Sequence, residues 1–148
     1  TQIYNDLLPC IYLKFMTNKR EYALANKQWL ENKSRENGVI ALSQGVLYKV
    51  LTIGNNDGVH PSHMSVVTVH YTGRTINGNV FDSSCGETPL AFRLSDLIEG
   101  WIIAIQNMCV GDKWEIYIPS ELGYGRFSQP GIPANSTLIF EIELLSIA

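Results

Sequence analysis

Aromatic and branched aliphatic residues, rather than nucleophiles or metal ligands, are the candidates for chemistry in this sequence. The sequence contains no GxSxG, HExxH or Walker motif, so serine hydrolysis, zinc proteolysis and P-loop phosphate transfer have no support. Apolar side chains instead cluster where predicted strands end and loops begin: Tyr71, Phe81, Leu97, Ile98, Trp101, Tyr124 and Phe140. Aromatic side chains dominate most protein cores, so this set alone predicts only a well-packed domain.

The cysteines and histidines are too scattered to predict a metal site. The three cysteines are odd in number, widely spaced and without a CxxC pair: Cys10, Cys85 and Cys109. We interpret His60, His63 and His70 as surface residues, because a metal site needs ligands at fixed spacing. No metal or other cofactor is expected.

Composition narrows the class of protein and its partners. The 148 residues are 45% hydrophobic and 17% charged, which is typical of a globular domain with a core. A net charge of −3 makes nucleic acid a poor partner. The longest apolar run, residues 7–15, is interrupted by Lys14 and is shorter than the roughly 20 residues that span a bilayer, so no transmembrane segment is expected. The chain starts at Thr1, which is compatible with a preceding signal segment.

Hydrophobic periodicity predicts an α+β domain. Asn77-Gly78 predicts a hairpin turn, and Ile98–Ile105 has helical spacing. Alternating residues predict strands over Val46–Leu51, Ser65–Tyr71, Val80–Phe81, Lys113–Ile118 and Leu138–Leu144. Strands in succession with one helix favour an antiparallel sheet with that helix on its apolar face. The loop from 121 to 136 is long and rich in Gly and Pro, which is typical of a functional loop.

A second helix is predicted at the N-terminus, over residues 18–37, with Asn18 as cap and Gly38 at its end. Tyr22, Ala25 and Trp29 share one face of it. This narrow apolar stripe must be buried, either on the following domain or on a second chain, and it favours a monomer or a weak homodimer. We divide the chain into an N-terminal helical extension, residues 1–40, and a main domain, residues 41–148.

Five motifs occur in order along the main domain, and together they resemble the FKBP-type peptidyl-prolyl cis/trans isomerase family. They are Val69-His70-Tyr71-Thr72-Gly73, Phe81-Asp82-Ser83-Ser84, Ile98-Glu99-Gly100-Trp101, Gly123-Tyr124-Gly125 and the segment 137–145. The resemblance extends from Gly45 to Ala148. It implies a twisted antiparallel sheet wrapped around one short helix, with an apolar pocket between them that binds X–Pro segments and isomerises them.

The resemblance also implies a role for individual residues. Trp101 would form the pocket floor, Asp82 would be the carboxylate beside the pocket, and Tyr124 would donate its hydroxyl to a substrate carbonyl. The remaining residues would supply the walls (Tyr71, Phe81, Phe92, Phe140), the entrance (Leu97, Ile98), the rim (Leu90) and the overhanging loop (Ile132). Rotation about an X–Pro bond makes and breaks no covalent bond, so a dry aromatic pocket without a nucleophile or cofactor suits this chemistry.

The sequence departs from the family pattern around this pocket. Leu90 stands where an aromatic residue is common, and Gln129 replaces a frequent histidine. The loop near Ile132 is one residue short, and residues 85–88 lack the arginine that often pairs with the pocket aspartate. Asp82 is therefore held differently here, or by Tyr71 alone.

Partners and location follow from the same resemblance. Proline-containing polypeptides are the expected substrates, and the macrolides tacrolimus and rapamycin are possible inhibitors. The alternative is a non-catalytic chaperone or binding module for Pro-containing or unfolded segments. The helix before the domain is similar to that of bacterial envelope isomerases, the macrophage-infectivity-potentiator group, which favours the periplasm or outer membrane of a Gram-negative bacterium.

Overall fold

The segments with alternating apolar residues form strands of one seven-stranded antiparallel sheet. The computed structural model describes residues 19–148, so the predicted cap Asn18 and the thiol of Cys10 lie outside the described residues. The strands are β1 (Val39–Ala41), β2 (Leu47–Thr52), β3 (Val66–Arg74), β4 (Val80–Ser83), β5 (Leu90–Arg93), β6 (Lys113–Ile118) and β7 (Leu138–Ile147). The helices are α1 (Lys19–Ser34) and α2 (Glu99–Ile105). No helix within residues 19–148 has the length and hydropathy needed to cross a membrane.

The strand order places β3 beside β7, in the half of the sheet that bears the candidate site. The order is β1-β2-β6-β7-β3-β4, and β5 also pairs with β3. Residues 72–74 of β3 pair with β4, and residues 66–69 pair with β5, so two short strands share one edge of β3. His70 and Tyr71 therefore face a gap in the strand pairing on this edge.

The hairpin predicted at Asn77-Gly78 is confirmed. The Thr75 amide donates to the Asn79 carbonyl and the Gly78 amide donates to the Thr75 carbonyl, both at 3.0 Å. Gly78 has φ +89°, a left-handed conformation that glycine adopts without a Cβ penalty. This turn brings β4, with Phe81 and Asp82, against the end of β3.

The concave face of the sheet is packed against α2, which confirms the predicted fold class. Trp101, Ile102 and Ile105 on α2 join the inward residues of β3, β6 and β7 in one core cluster. Gly100 makes this packing possible, because a Cβ there would lie 2.4 Å from the Ile118 side chain. The helix backbone can therefore lie directly on β6, which directs Trp101 into the core.

The opposite face of the sheet is partly covered by α1. Trp29 and Leu30 pack with Leu47, Tyr117 and Ile139 in a second, smaller cluster. The centroids of the Trp29 and Tyr117 rings are 5.8 Å apart. The described chain therefore packs Trp29 of the apolar stripe, with Leu30 beside it, against its own sheet.

The end of α1 differs from the prediction. The helix ends at Ser34 rather than at residue 37. The Ser34 hydroxyl donates to the Glu31 carbonyl at 2.5 Å, and the amides of Arg35 and Glu36 donate three residues back instead of four. These tight turns end the helix before Gly38, whose φ of +83° then redirects the chain into β1.

Two strands were not predicted from the sequence. β1 has three residues, and β5 has the sequence Leu-Ala-Phe-Arg without β-branched residues. Such short segments become strands because a neighbouring strand offers free hydrogen-bonding groups, which is a tertiary effect. β5 matters for the candidate site because it positions Phe92.

Candidate functional site

Five aromatic rings meet on the face of the sheet that packs against α2, with Trp101 at their centre. The Trp101 ring makes edge-to-face contacts with Tyr71, Phe92 and Phe140, at centroid distances of 5.2, 6.2 and 5.1 Å. Phe81 contacts Phe140 edge to face at 5.6 Å. Edge-to-face packing places positive ring edges on negative ring faces. The structure thus brings together five residues that the family resemblance predicted in one pocket.

Burial is uneven within this cluster. Trp101 is only 4% exposed and Phe140 is equally buried, whereas Phe81 and Phe92 are half-buried. The indole N–H of Trp101 is buried and has no hydrogen-bond partner within residues 19–148. Unpaired buried donors are uncommon and costly, and functional sites are among the places where they occur.

Gly73 is the backbone position that lets two of these rings meet. A Cβ at Gly73 would lie 2.6 Å from Phe81 Cζ and 2.6 Å from Phe140 Cε1. Any larger residue would push both rings away from β3. Close packing of Phe81 and Phe140 therefore explains why the Val69–Gly73 motif ends in glycine.

Asp82 is held by Tyr71. The Tyr71 hydroxyl donates to Asp82 Oδ2 at 2.6 Å, and no other side chain within residues 19–148 bonds this carboxylate. Burial of the phenol, and then the hydrogen bond to Asp82, raise the pKa of Tyr71 well above its ordinary value. Tyr71 therefore stays protonated and acts as the donor, so the carboxylate is fixed without a basic partner.

Ser84 bonds to Tyr71 in the gap that β4 and β5 leave on the edge of β3. The family resemblance had implied no role for Ser84. The Tyr71 amide donates to Ser84 Oγ at 2.8 Å, and the Ser84 amide donates to the Tyr71 carbonyl at 2.8 Å. Ser84 is fully buried, and its Oγ is also 3.0 Å from His70 Nδ1. His70 is accordingly half-buried rather than a free surface residue. The only advance signal was membership of the Phe81–Ser84 motif.

The loop between β6 and β7 leaves Tyr124 partly exposed and buries Ile132. Tyr124 is 37% exposed, and its hydroxyl has no hydrogen-bond partner in the described part of the chain. Ile132 is buried in the main core cluster, held by paired backbone hydrogen bonds with Gln129 at 2.9 Å. At the tip between them, a Cβ on Gly131 would lie 3.1 Å from Phe81 Cβ. The loop therefore packs on one wall of the aromatic cluster.

The predicted entrance residues precede α2. Leu97 and Ile98 are half-buried against the main cluster, and Ile98 is the residue before the first turn of the helix. The Ile98 carbonyl accepts from the Trp101 amide at 3.0 Å, whereas the Ile98 amide makes no hydrogen bond within residues 19–148. Leu90 is partly exposed on β5, two residues from Phe92 on the same face.

A separate cleft of about 330 Å³, with charged side chains at its edge, lies on the outer face of the sheet. It is lined by Thr72, Cys85 and the ion pair between Lys113 and Glu141, whose N–O distance is 2.9 Å. Hydrogen bonds from Thr72 and Ser83 lower the pKa of the Cys85 thiol. The cleft shares no aromatic cluster residue except Tyr71, and within residues 19–148 no group of three or more His, Cys, Asp or Glu residues could hold a metal ion.

Comparison with known proteins identifies the family. The family model for FKBP-type peptidyl-prolyl cis-trans isomerase matches residues 58–145, and the chain therefore belongs to this family. It is 43% identical over 122 residues to the FKBP-type 22 kDa peptidyl-prolyl cis-trans isomerase of Escherichia coli, covering 81% of this chain and 58% of that protein. It is 35% identical to the outer membrane protein MIP of Legionella longbeachae, covering 99% of this chain and 63% of that protein.

A solved structure supports the same assignment. The chain is similar to the crystal structure of a peptidyl-prolyl cis-trans isomerase from Pseudomonas syringae pv. tomato, with a TM-score of 0.82 and 34% identity. That match covers 90% of this chain and 98% of the other. The chain thus spans about half the length of the curated relatives it matches, from 44% to 63% of those compared, but nearly all of this solved chain.

Proposed function

We propose that this protein catalyses cis/trans isomerisation of X–Pro bonds in the aromatic cluster around Trp101. The observation that carries the proposal is the Tyr71–Asp82 hydrogen bond beside five mutually packed rings, in a chain of the FKBP-type family. The substrates are proline-containing polypeptides. The proline ring packs on the Trp101 indole, between the walls that Tyr71, Phe81, Phe92 and Phe140 provide.

Desolvation lowers the rotation barrier in this proposal. Amide resonance opposes rotation with a barrier of about 18–20 kcal/mol, and uncatalysed exchange takes tens to hundreds of seconds. Resonance separates charge, so water stabilises the planar imide more than the twisted one. A dry aromatic surface removes that preference, because it solvates neither form well.

Fixed polar groups then favour the twisted imide. The Tyr124 hydroxyl and the Ile98 amide, which have no partners within residues 19–148, hold the substrate backbone by donating to carbonyl groups other than that of the rotating imide. As the bond twists, the nitrogen lone pair no longer supplies electrons to the carbonyl carbon. The Asp82 carboxylate, fixed by Tyr71, stabilises the resulting electron-poor carbon.

Four aliphatic residues complete the proposed site, at its entrance, at its rim and beneath its loop: Leu97, Ile98, Leu90 and Ile132. Leu97 and Ile98 contact the substrate at the entrance, and Leu90 forms a less aromatic rim than is usual in the family. Ile132 acts from within the core, where it anchors the loop over Phe81.

We also propose the organisation and location of the protein. Residues 41–148 form the domain that holds the site. Residues 1–40 form an extension that packs on this domain through α1, on the face of the sheet opposite the site. The boundary lies within β1, which joins the extension to the sheet. The similarity to an outer membrane protein of Legionella longbeachae over 99% of the chain supports a Gram-negative periplasmic or outer-membrane location.

The test is turnover on a short peptide with one X–Pro bond. Wild-type protein should accelerate isomerisation, and a variant combining Asp82→Val with Phe140→Ala should not. Circular dichroism must show that the double variant is folded. Undiminished activity in the folded double variant would exclude this cluster as the catalytic site.

Macrolide binding is a second test of the same site. Tacrolimus and rapamycin should compete with the peptide, because their pipecolyl ring mimics proline. We expect weaker binding than in typical family members, because Leu90 and the shortened loop near Ile132 reduce the contact area. Calorimetry that detects no binding at solubility-limited concentrations would contradict this expectation. It would not refute isomerase activity, which the peptide assay measures.

A further inference from the structure

A buried polar contact joins the N-terminal helix to the stem of the site loop. Asn26 is 1% exposed, and its Oδ1 accepts from the Thr137 amide at 2.8 Å. The Thr137 hydroxyl donates to the Asn26 backbone carbonyl at 3.3 Å. The Asn26 side-chain amide donates to the Tyr22 carbonyl at 2.8 Å, which fixes its orientation. Asparagine is a poor helix former, so its place within α1 is explained by the bonds to Thr137.

A second contact one turn earlier reaches further into the loop. The hydroxyls of Tyr22 and Ser136 are hydrogen-bonded at 2.8 Å. Ser136 Oγ also donates to the Pro133 carbonyl at 2.6 Å. Pro133 follows Ile132 directly, so this series of bonds links α1 to the buried anchor of the loop.

The two ends of the loop are tied to each other as well. The Asn135 amide donates to the Gly125 carbonyl, and the Gly125 amide donates to the Ser120 carbonyl, both at 2.8 Å. Tyr124 immediately precedes Gly125. A displacement of residues 135–137 would therefore be transmitted to the backbone of Tyr124.

Apolar packing is incomplete at this junction. A cleft of about 160 Å³ lies between α1 and the loop stems, lined by Ala23 and Lys27 on the helix and by Ser120 and Glu121 on the stem. A gap of this size forfeits dispersion contacts. Tyr22 and Asn26 therefore supply the hydrogen bonds that join the helix to the loop beside this cleft.

We propose that α1 is a positioning element for the candidate site. Tyr22 and Asn26 are positioning residues that hold the loop of residues 123–136 in the conformation that presents Tyr124 and anchors Ile132. The predicted effect on turnover rests on the proposed isomerase function, whereas the predicted effect on loop order does not.

The experiment compares Asn26→Ala and Tyr22→Phe with wild type in the full chain. Glu31→Ala is the matched control, because Glu31 is exposed on the same helix and, within residues 19–148, its side chain pairs only with Arg35, just past the helix end. Amide hydrogen exchange is measured across the chain, and kcat and KM are measured on a peptide with one X–Pro bond.

Asn26→Ala should accelerate exchange in residues 123–136 by about tenfold or more, because it leaves the buried Thr137 amide without a partner. Exchange in β3 should be unchanged. The same variant should lower kcat/KM by about fivefold, mainly through KM, because a smaller fraction of the molecules holds the loop in the conformation that binds substrate. Tyr22→Phe should have a smaller effect of the same kind, and Glu31→Ala should have none.

The outcomes separate this proposal from the proposed function. Wild-type exchange in the loop of Asn26→Ala would overturn the positioning role, and so would equal acceleration in β3, which would indicate a loss of global stability. Local acceleration with unchanged kcat/KM in an active enzyme would also overturn it. Inactive wild-type protein would refute the isomerase proposal, while the exchange pattern would still decide whether α1 orders the loop.

Discussion

Tyr71 determines how the carboxylate of the candidate site is oriented. Family members often pair the pocket aspartate with an arginine that residues 85–88 lack here, which left two ways of holding Asp82 open at the level of sequence. The structure shows the phenol of Tyr71 as its partner, at 2.6 Å. Because burial keeps this phenol protonated, a neutral donor replaces a charged one. The carboxylate is thus held by a hydrogen bond from a phenol instead of an ion pair with a guanidinium.

Single polar groups should be separable from apolar packing by substitution. Asp82→Val and Tyr124→Phe should each lower kcat by about tenfold or more with the fold intact, because each removes one polar contact and little apolar area. Phe140→Ala should also destabilise the protein, by about 3–5 kcal/mol, because it truncates a buried ring. Peptide kinetics and urea unfolding measure the two effects. Wild-type kcat in both polar variants would count against their proposed roles.

The residues that sequence reasoning missed act through distant partners. Asn26 and Thr137 are 111 positions apart, and nothing in either local sequence indicates that they meet. Ser84 bonds Tyr71 across 13 positions, and its role depends on the gap that two short strands leave at one edge of β3. Motif spacing predicted which aromatic residues cluster around Trp101, but it does not identify the hydrogen bonds that hold them.

At the scale of elements, long alternating segments were predictable and short ones were not. β3, β6 and β7 follow the predicted pattern because each buries every second residue against the core. β1 and β5 have too few residues for a period to be recognised. The helix α1 was predicted from its apolar stripe, but its end depends on local turns after Ser34. Its buried Asn26 does not belong to the apolar pattern at all.

Docking of α1 should contribute measurably to stability. Trp29→Ala should lower the free energy of unfolding by about 2–3 kcal/mol, less than for a fully buried tryptophan, because Trp29 is half-buried against Tyr117. A helix of this length depends on such packing for most of its stability. Urea unfolding checks the value, with Glu31→Ala as control. An unchanged midpoint would show that α1 is not docked in solution.

At the scale of the whole molecule, the two faces of the sheet each contain a buried tyrosine. Burial, and then the hydrogen bond to Glu115, raise the pKa of Tyr117 on the outer face, as burial and Asp82 do for Tyr71 on the inner face. Both phenols stay protonated in the folded protein above pH 10, where the phenols of the unfolded chain ionise. The unfolded state then binds fewer protons than the folded state, so stability must fall as pH rises.

Alkaline unfolding tests this balance. The free energy of unfolding should be steady below about pH 9 and should fall above pH 10 with a slope approaching about 1.4 kcal/mol per pH unit for each tyrosine. Tyr117→Phe should lower the stability at neutral pH and make the alkaline slope shallower. Glu31→Ala, at an exposed position on α1, should leave the slope unchanged. Urea titrations from pH 7 to 11 give the slopes, and equal slopes in wild type and Tyr117→Phe would refute the prediction.

The packing of α1 also bears on oligomeric state. Its apolar stripe is used within the chain, through Trp29 and Leu30. Its outward surface is mostly charged or polar, with Leu24 as an isolated exposed apolar residue. A dimer interface normally needs a larger apolar core than one exposed leucine supplies. Light scattering should therefore give the mass of one chain, 16.6 kDa, at all practical concentrations, and Trp29→Ala should lower stability without changing that mass. A tight dimer at sub-micromolar concentration, converted to monomer by Trp29→Ala, would show instead that this stripe pairs between chains.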